Sequence, residues 1–303
     1  MELLQLFQKI RLPILNEFML LITEFGGEIA FLVTAIIVFW CFDKRHGYFI
    51  MCVGFVGTIV SQFMKLWFRI PRPWVKEPGI AMEEAIGDAG GYSFPSGHSQ
   101  TSVGTFGSLA LTVKNKIIRA ICIAIAVLVP VSRMYVGVHT PLDVGVGALI
   151  ALVLMFAVRP FVYSDKKCMM PILIGILSTL TIAYLSFVFL YDFPSDVDAT
   201  NLIHGQENAC TMAGCIVGMI VVYLVDEKWL HFPTKAIWWA QIIKIAIGLC
   251  LILAVKSGMK GILNGFFGDM AGRAVRYFLI VLVAGVLWPM TFHYFEKLGK
   301  KEK

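Results

Sequence analysis

Residues 132–143 read Ser-Arg-Met-Tyr-Val-Gly-Val-His-Thr-Pro-Leu-Asp, between an apolar run ending near Tyr135 and another beginning at Pro141. Two long apolar runs joined by so short a turn read as membrane helices that meet at one face of a bilayer. The turn carries a cation, an imidazole and a carboxylate, Arg133, His139 and Asp143. Each costs free energy at the edge of an apolar chain if left unpaired, which points to chemistry. Thr140, Pro141 and Asp143 also form a helix-start pattern: a capping hydroxyl, proline at the first helical position and an acid at the third. His139 then sits just outside a helix N-terminus with Asp143 on the first turn, near enough to hold the ring. A carboxylate on one ring nitrogen fixes the tautomer and leaves the other as base or nucleophile. An ordinary capping box beside an interfacial histidine fits these residues equally well.

Two stretches upstream shift that balance. Tyr92 to Ser99 reads Tyr-Ser-Phe-Pro-Ser-Gly-His-Ser, a turn entering a helix that Ser96 or Ser99 caps. Gly97 lets the backbone approach an anion, with His98 beside it as a second imidazole. Lys65 to Pro73 reads Lys-Leu-Trp-Phe-Arg-Ile-Pro-Arg-Pro, with Lys65 and Arg72 at the end of another apolar run. Either cation alone reads as a snorkelling interfacial side chain. Together the three stretches supply Lys65, Arg72 and Arg133, donors around Ser96, two histidines and one carboxylate. That set suits a phosphoryl group.

Composition sets the frame. Of 303 residues, 58% are hydrophobic and 15% charged, and apolar runs of about 20 residues recur, which excludes a soluble globular protein. The net charge of +6 raises nucleic acid as a partner, but the cations cluster at run ends, where they orient a chain in a bilayer. The seven cysteines lack metal-ligand spacing and read as small hydrophobes. Residues 1–24 lack the basic start and cleavage site of a signal peptide and are expected to lie on the membrane, with Pro13 interrupting the apolar spacing. Spans are expected near 28–42, 47–68, 99–113, 117–135, 141–158, 171–191, 209–225, 236–255 and 277–295, about nine in all. The loop 69–96 holds Glu77, Glu83, Glu84 and Asp88 in an irregular pattern that reads as solvated surface. Lys244, inside the eighth run, is expected to face other helices or reach for an end. The glycine-rich stretch 256–276 reads as a plain amphipathic connection, with a lid or short re-entrant helix as alternatives.

Lys65 with Arg72-Pro73, Pro95-Ser96-Gly97-His98, and Ser132-Arg133 with His139 and Asp143 resemble the three signature motifs of the type 2 phosphatidic acid phosphatase superfamily. Residues 5–48, with Gln5, Pro13, Thr23-Glu24-Phe25-Gly26 and Trp40-Cys41-Phe42-Asp43-Lys44-Arg45, are similar to the longer membrane branch that includes sphingosine-1-phosphate phosphatase-like proteins. The resemblance implies an all-α, polytopic transmembrane bundle built on that superfamily's core. It implies metal-independent hydrolysis of a phosphate monoester or diphosphate, with no cofactor, through a phosphohistidine. His139 would attack, Asp143 would orient its ring, and His98 would protonate the departing oxygen and then activate water. Lys65, Arg72, Arg133, Ser96 and Gly97 would bind the phosphate oxygens. The expected organisation is an interfacial helix in 1–24, the phosphatase core in 25–168 and additional membrane helices in 169–303.

The expected partners are membrane lipids, one of them the phosphorylated substrate, with no nucleic acid; no oligomeric state follows. A soluble phosphate ester as substrate remains an alternative, as does a lipid phosphotransferase or transporter. Eleven Lys or Arg fall on the motif side, three of them given to chemistry, against fourteen opposite. The positive-inside rule therefore puts the site on the extracytoplasmic or luminal face.

Overall fold

The computed structural model describes residues 1–87 and 89–298. Asp88 of the acidic loop and Lys300, Lys301 and Lys303 of the charge count lie outside the described residues. Among the described residues there is no strand. The α-helices are α1 (Glu2–Lys9), α2 (Pro13–Glu24), α3 (Glu28–Cys41), α4 (Lys44–Phe68), α5 (Pro73–Lys76), α6 (Glu83–Ile86), α7 (Gly97–Thr112), α8 (Lys116–Tyr135), α9 (Pro141–Val162), α10 (Met169–Leu190), α11 (Ala199–Val225), α12 (Trp238–Gly258), α13 (Lys260–Leu282) and α14 (Phe292–Lys297).

Seven described helical stretches are long and apolar enough to cross a bilayer, or up to eight if the bent pair α2 and α3 makes one span. The expected figure was about nine, and two segments account for the difference. α3 has only 14 residues and meets α2 at a 53° bend. α7 has 16 residues, too few for 30 Å of hydrocarbon at 1.5 Å each, and it is rich in Gly, Ser and Thr. Nine of its residues are buried, five of them Ser, Thr or Gln, so protein rather than lipid surrounds much of it. A helix packed that way gains from small residues that let backbones approach.

The described residues divide into two compact units, one from residues 1–34, 49–164 and 190–205, the other from residues 35–48, 165–189 and 206 onward. In the first, α7 packs against α8 and α9, while α2 lies along α8. Asn115 caps α8 by accepting from the amides of Ile117 at 2.9 Å and Ile118 at 3.1 Å. The far sides of α8 and α9 expose Ile117, Ile121, Val127, Leu149, Val153 and Phe156, a surface suited to acyl chains. Gly147 on α9 lets that helix approach the second motif stretch closely, since a Cβ there would stand 2.4 Å from the Ser96 carbonyl oxygen.

In the second unit, Lys244 is fully buried, as a lysine facing other helices should be. Its Nζ donates to the carbonyls of Trp40 at 2.9 Å and Thr234 at 3.2 Å, and it lies 4.4 Å from the centre of the Phe292 ring. Trp40 belongs to the last turn of α3, so the ammonium satisfies a helix-end carbonyl and meets the local dipole. The Trp40 indole in turn donates to the Ala284 carbonyl at 2.7 Å. Nearby, Lys44 pairs with Asp226 at 2.7 Å. The glycine-rich stretch is helical from Lys260 onward, broken at Gly268, whose φ of +76° lies outside any helix.

Candidate active site

The three motif stretches meet within the first unit, brought to one place by the ends of α4, α7, α8 and α9. Thr140 caps α9, and the reciprocal capping box with Asp143 is complete: Asp143 N–H donates to Thr140 Oγ1 at 3.3 Å and Thr140 N–H donates to Asp143 Oδ2 at 2.7 Å. That box holds the carboxylate on the first turn, its Oδ2 3.6 Å from His139 Nδ1. The turn before it requires Gly137, at φ +81°, where a Cβ would collide with the Ile80 carbonyl oxygen at 2.2 Å. Val138 N–H then donates to the Arg133 carbonyl at 3.2 Å, closing the loop that delivers His139.

His139 is 1% exposed, and Arg72 Nη1 stands 2.8 Å from its Nε2. A guanidinium has donors only, so Nε2 must accept and the ring proton must sit on Nδ1, facing Asp143. The geometry therefore leaves the lone pair on Nε2, with the carboxylate behind the ring. Burial first, and then the positive charges of Arg72, Arg133 and Lys65, hold the His139 pKa well below the ordinary imidazole range. At neutral pH the ring is an uncharged nucleophile or base.

Arg72 is fixed by the chain around it. Its Nε donates to the Gly91 carbonyl at 2.9 Å, Nη2 to the Gly90 carbonyl at 2.7 Å, and Nη1 also lies 3.2 Å from the Val138 carbonyl. Lys65 donates to the carbonyl of Tyr92 in the same loop. Both cations are buried, Lys65 at 5% exposure and Arg72 at 6%, and carbonyl dipoles supply much of their solvation. Ser96, of the two serines considered, is the cap of α7: its Oγ accepts from Ser99 N–H at 3.4 Å and Ser99 Oγ at 2.9 Å. Its own amide donates to the Asp143 carbonyl at 2.9 Å, which joins the second motif to the third. Gly97 and His98 open α7 and are half-buried. Arg133, 1% exposed, donates from Nη1 to Thr23 Oγ1 at 2.8 Å.

The three motif stretches thus meet around His139, with Lys65, Arg72 and Arg133 close enough for their charges to bear on it and Gly97 and His98 at the start of the neighbouring α7. Sequence reasoning missed Ser93, whose Oγ donates to Asp143 Oδ2 at 2.7 Å and lies 3.5 Å from His139 Nδ1. Nothing in its spacing marks it, although it stands inside the second motif stretch. Thr23 was quoted only as part of a short pattern, with no role attached.

Residues 45–167 match the PAP2 superfamily, and residues 210–301 match the PAP2 superfamily phosphatase transmembrane extension. Phosphatidylglycerophosphatase B of Bacillus subtilis (strain 168) is 31% identical over 172 residues, 52% of this chain and 79% of that protein. Undecaprenyl-diphosphatase of Sulfolobus acidocaldarius is 30% identical over 151 residues, 49% of this chain and 71% of that protein. Sphingosine-1-phosphate phosphatase 1 of Mus musculus is 25% identical over 263 residues, 79% of this chain and 58% of that protein. No solved structure matches.

Proposed function

The chain belongs to the PAP2 superfamily, a metal-independent phosphatase superfamily, and from that premise we propose that it takes phosphate from a lipid monoester or diphosphate through a phosphohistidine on His139. It is an integral multi-pass membrane protein. The observation that carries the residue assignment is the 2.8 Å contact of Arg72 Nη1 with His139 Nε2, opposite the Asp143 carboxylate. A cation waits on the very nitrogen that has a lone pair to give. When a phosphoryl group enters, Nη1 turns from the imidazole to a phosphoryl oxygen, while Nε and Nη2 stay anchored on Gly91 and Gly90.

His139 Nε2 then forms the N–P bond as the bond to the lipid oxygen breaks, and Nδ1–H carries the growing positive charge toward Asp143. Burial and then the charges of Arg133, Arg72 and Lys65 keep His98 neutral before substrate binds; it takes up a proton as the negative charge of the phosphate enters, and gives that proton to the departing oxygen. In the second half it takes one from water, which attacks phosphorus and frees the histidine. Lys65, Arg72 and Arg133 hold the equatorial oxygens, joined by the Ser96 hydroxyl and the Gly97 amide at the α7 N-terminus. Each such donor is worth on the order of 100-fold in rate. We assign residues 25–168 to this catalytic core and 169–303 to additional membrane helices.

Lipid is favoured because all three relatives are named for enzymes that act on lipid-borne phosphate. The site also stands at helix ends flanked by apolar surface, where a tail-anchored headgroup arrives by lateral diffusion. Purified protein in detergent with chelator should release phosphate from at least one of phosphatidylglycerol phosphate, a polyprenyl diphosphate, a sphingoid phosphate and phosphatidate, and not from glucose 6-phosphate. Release from the sugar phosphate alone moves the assignment to a soluble ester. Folded protein silent on every substrate moves it to a phosphotransferase or transporter.

The Lys and Arg distribution supports an extracytoplasmic or luminal site. In intact spheroplasts of a bacterial host, where the extracytoplasmic face is the outer one, a cysteine introduced at Val75, which is 63% exposed, should react with a membrane-impermeant maleimide once the exposed Cys168 and Cys250 are replaced by serine. Labelling only after the spheroplasts are opened reverses the orientation.

A further inference from the structure

We propose that the N-terminal helices complete the phosphate site, with Thr23 the residue that positions Arg133. The proposal rests on the phosphatase reading above, and it concerns a segment that precedes the matched superfamily region at residue 45.

Of the twelve residues of α2, Thr23 is the one buried, at 5% exposure. A helix serving only as an anchor would bury an apolar side chain there. A hydroxyl in such a place costs free energy unless it is hydrogen-bonded, and its partner is the Arg133 guanidinium at 2.8 Å. An arginine has many rotamers and five donors. Tying one nitrogen to a fixed hydroxyl orients the planar fork.

The segment is fastened so that this hydroxyl stays in place. Arg11 Nη2 donates to the carbonyls of Ile80 at 2.7 Å and Tyr135 at 2.9 Å. The Tyr135 hydroxyl donates to Asn16 Oδ1 at 2.7 Å, and the Phe7 ring packs on Tyr135 with centroids 5.9 Å apart. These contacts grip the end of α8 two residues beyond Arg133. At the other end of α2, Gly26 presses on the site directly: a Cβ there would lie 2.7 Å from Val129 Cγ1 and 3.0 Å from both the Cβ and the carbonyl oxygen of His98. The N-terminal segment therefore touches the neighbourhood of a phosphate-binding cation and of the second histidine. It is part of the site's frame as well as a membrane contact.

The test compares Thr23→Val and Thr23→Ser in the full chain, reading kcat, KM and inhibition by orthovanadate, an anion that needs the cation cradle but no leaving group. Thr23→Val should lower kcat/KM by about 10- to 100-fold, the scale of a displacement near 1 Å. It should also raise the vanadate inhibition constant by roughly tenfold. Thr23→Ser, which restores the acceptor but not the methyl, should stay within about threefold of wild type. A Thr23→Val protein with unchanged kcat/KM and unchanged vanadate inhibition overturns the proposal. So does an equal loss in both variants, which would mark packing rather than the hydrogen bond. If wild-type protein hydrolyses nothing, the assigned activity fails, and the thermal shift caused by vanadate decides this proposal instead. A shift in wild type and Thr23→Ser that shrinks in Thr23→Val supports it, and equal shifts in all three overturn it.

Discussion

His139→Ala protein that is folded releases phosphate at least about 10,000-fold more slowly than wild type, because it loses the atom that bonds to phosphorus. The neighbours cannot replace it. Arg72 and Lys65 are cations already bound to carbonyls, and His98 lies on the first turn of another helix. Two measurements separate a lost nucleophile from a damaged fold. The thermal midpoint in detergent should stay near that of wild type, and the base-stable phosphoprotein that wild type forms on rapid alkaline quenching should be missing. Turnover within tenfold of wild type would sink the phosphohistidine assignment.

The pH dependence follows from the same residue. Its folded-state pKa lies well below the ordinary 6.5 because of burial and then the surrounding cations. Well above the ordinary pKa, beyond about pH 7.5, the ring is neutral whether the protein is folded or unfolded, so it contributes no pH slope. Below that, the unfolded chain takes a proton that the folded site refuses, and this residue's share of stability falls as pH drops. For the same reason, once the ionisation of the substrate is allowed for, the kcat/KM profile should show no His139 limb near 6.5.

The second large effect belongs to His98. Its replacement by alanine should cost about 100- to 10,000-fold with a lipid alkoxide as leaving group, since an alkoxide needs a proton as it departs. A nitrophenyl phosphate ester has a leaving group that departs without help, so phosphorylation of His139 would be largely spared. Breakdown would remain slow, because water still lacks its base. The His98→Ala protein should therefore accumulate base-stable phosphoprotein with the activated ester. Equal losses on both substrates with no accumulation would remove His98 from proton transfer and leave it a binding role.

The local geometry around the candidate site was legible in the sequence. The capping box of Thr140 and Asp143 is legible because its geometry depends on four consecutive residues, and proline at the first helical position makes the reading firm. The motif cations and histidines were legible because charged groups in an apolar chain need a reason. What stayed hidden depends on distant partners. Ser93 and Thr23 are ordinary hydroxyls until the fold sets one against Asp143 and the other against Arg133, 50 and 110 positions along the chain. The expected count of about nine spans exceeds the seven or eight found among the described residues for a related reason. Hydropathy reads a helix as though lipid surrounded it, and α7 is largely enclosed by protein, so its Gly, Ser and Thr residues suit packing. The glycines of 256–276 suggested a connection, yet only Gly268 interrupts the helix that begins at Lys260.

The guanidinium resting on His139 has a consequence for which molecules the enzyme can ever attack. A neutral imidazole is a promiscuous group, open to alkylating and acylating agents of many kinds. Here its reactive nitrogen is sealed by Arg72 and closed to solvent. An electrophile without negative charge has nothing to offer the cation and so no means of drawing it aside. With His139 as the proposed nucleophile, a phosphorylated molecule would bring the countercharge that removes the seal, so that the same group that is to be cleaved would unlock the residue that cleaves it. Chemical discrimination is thereby built into the resting state, before the shape of the rest of the substrate is consulted at all.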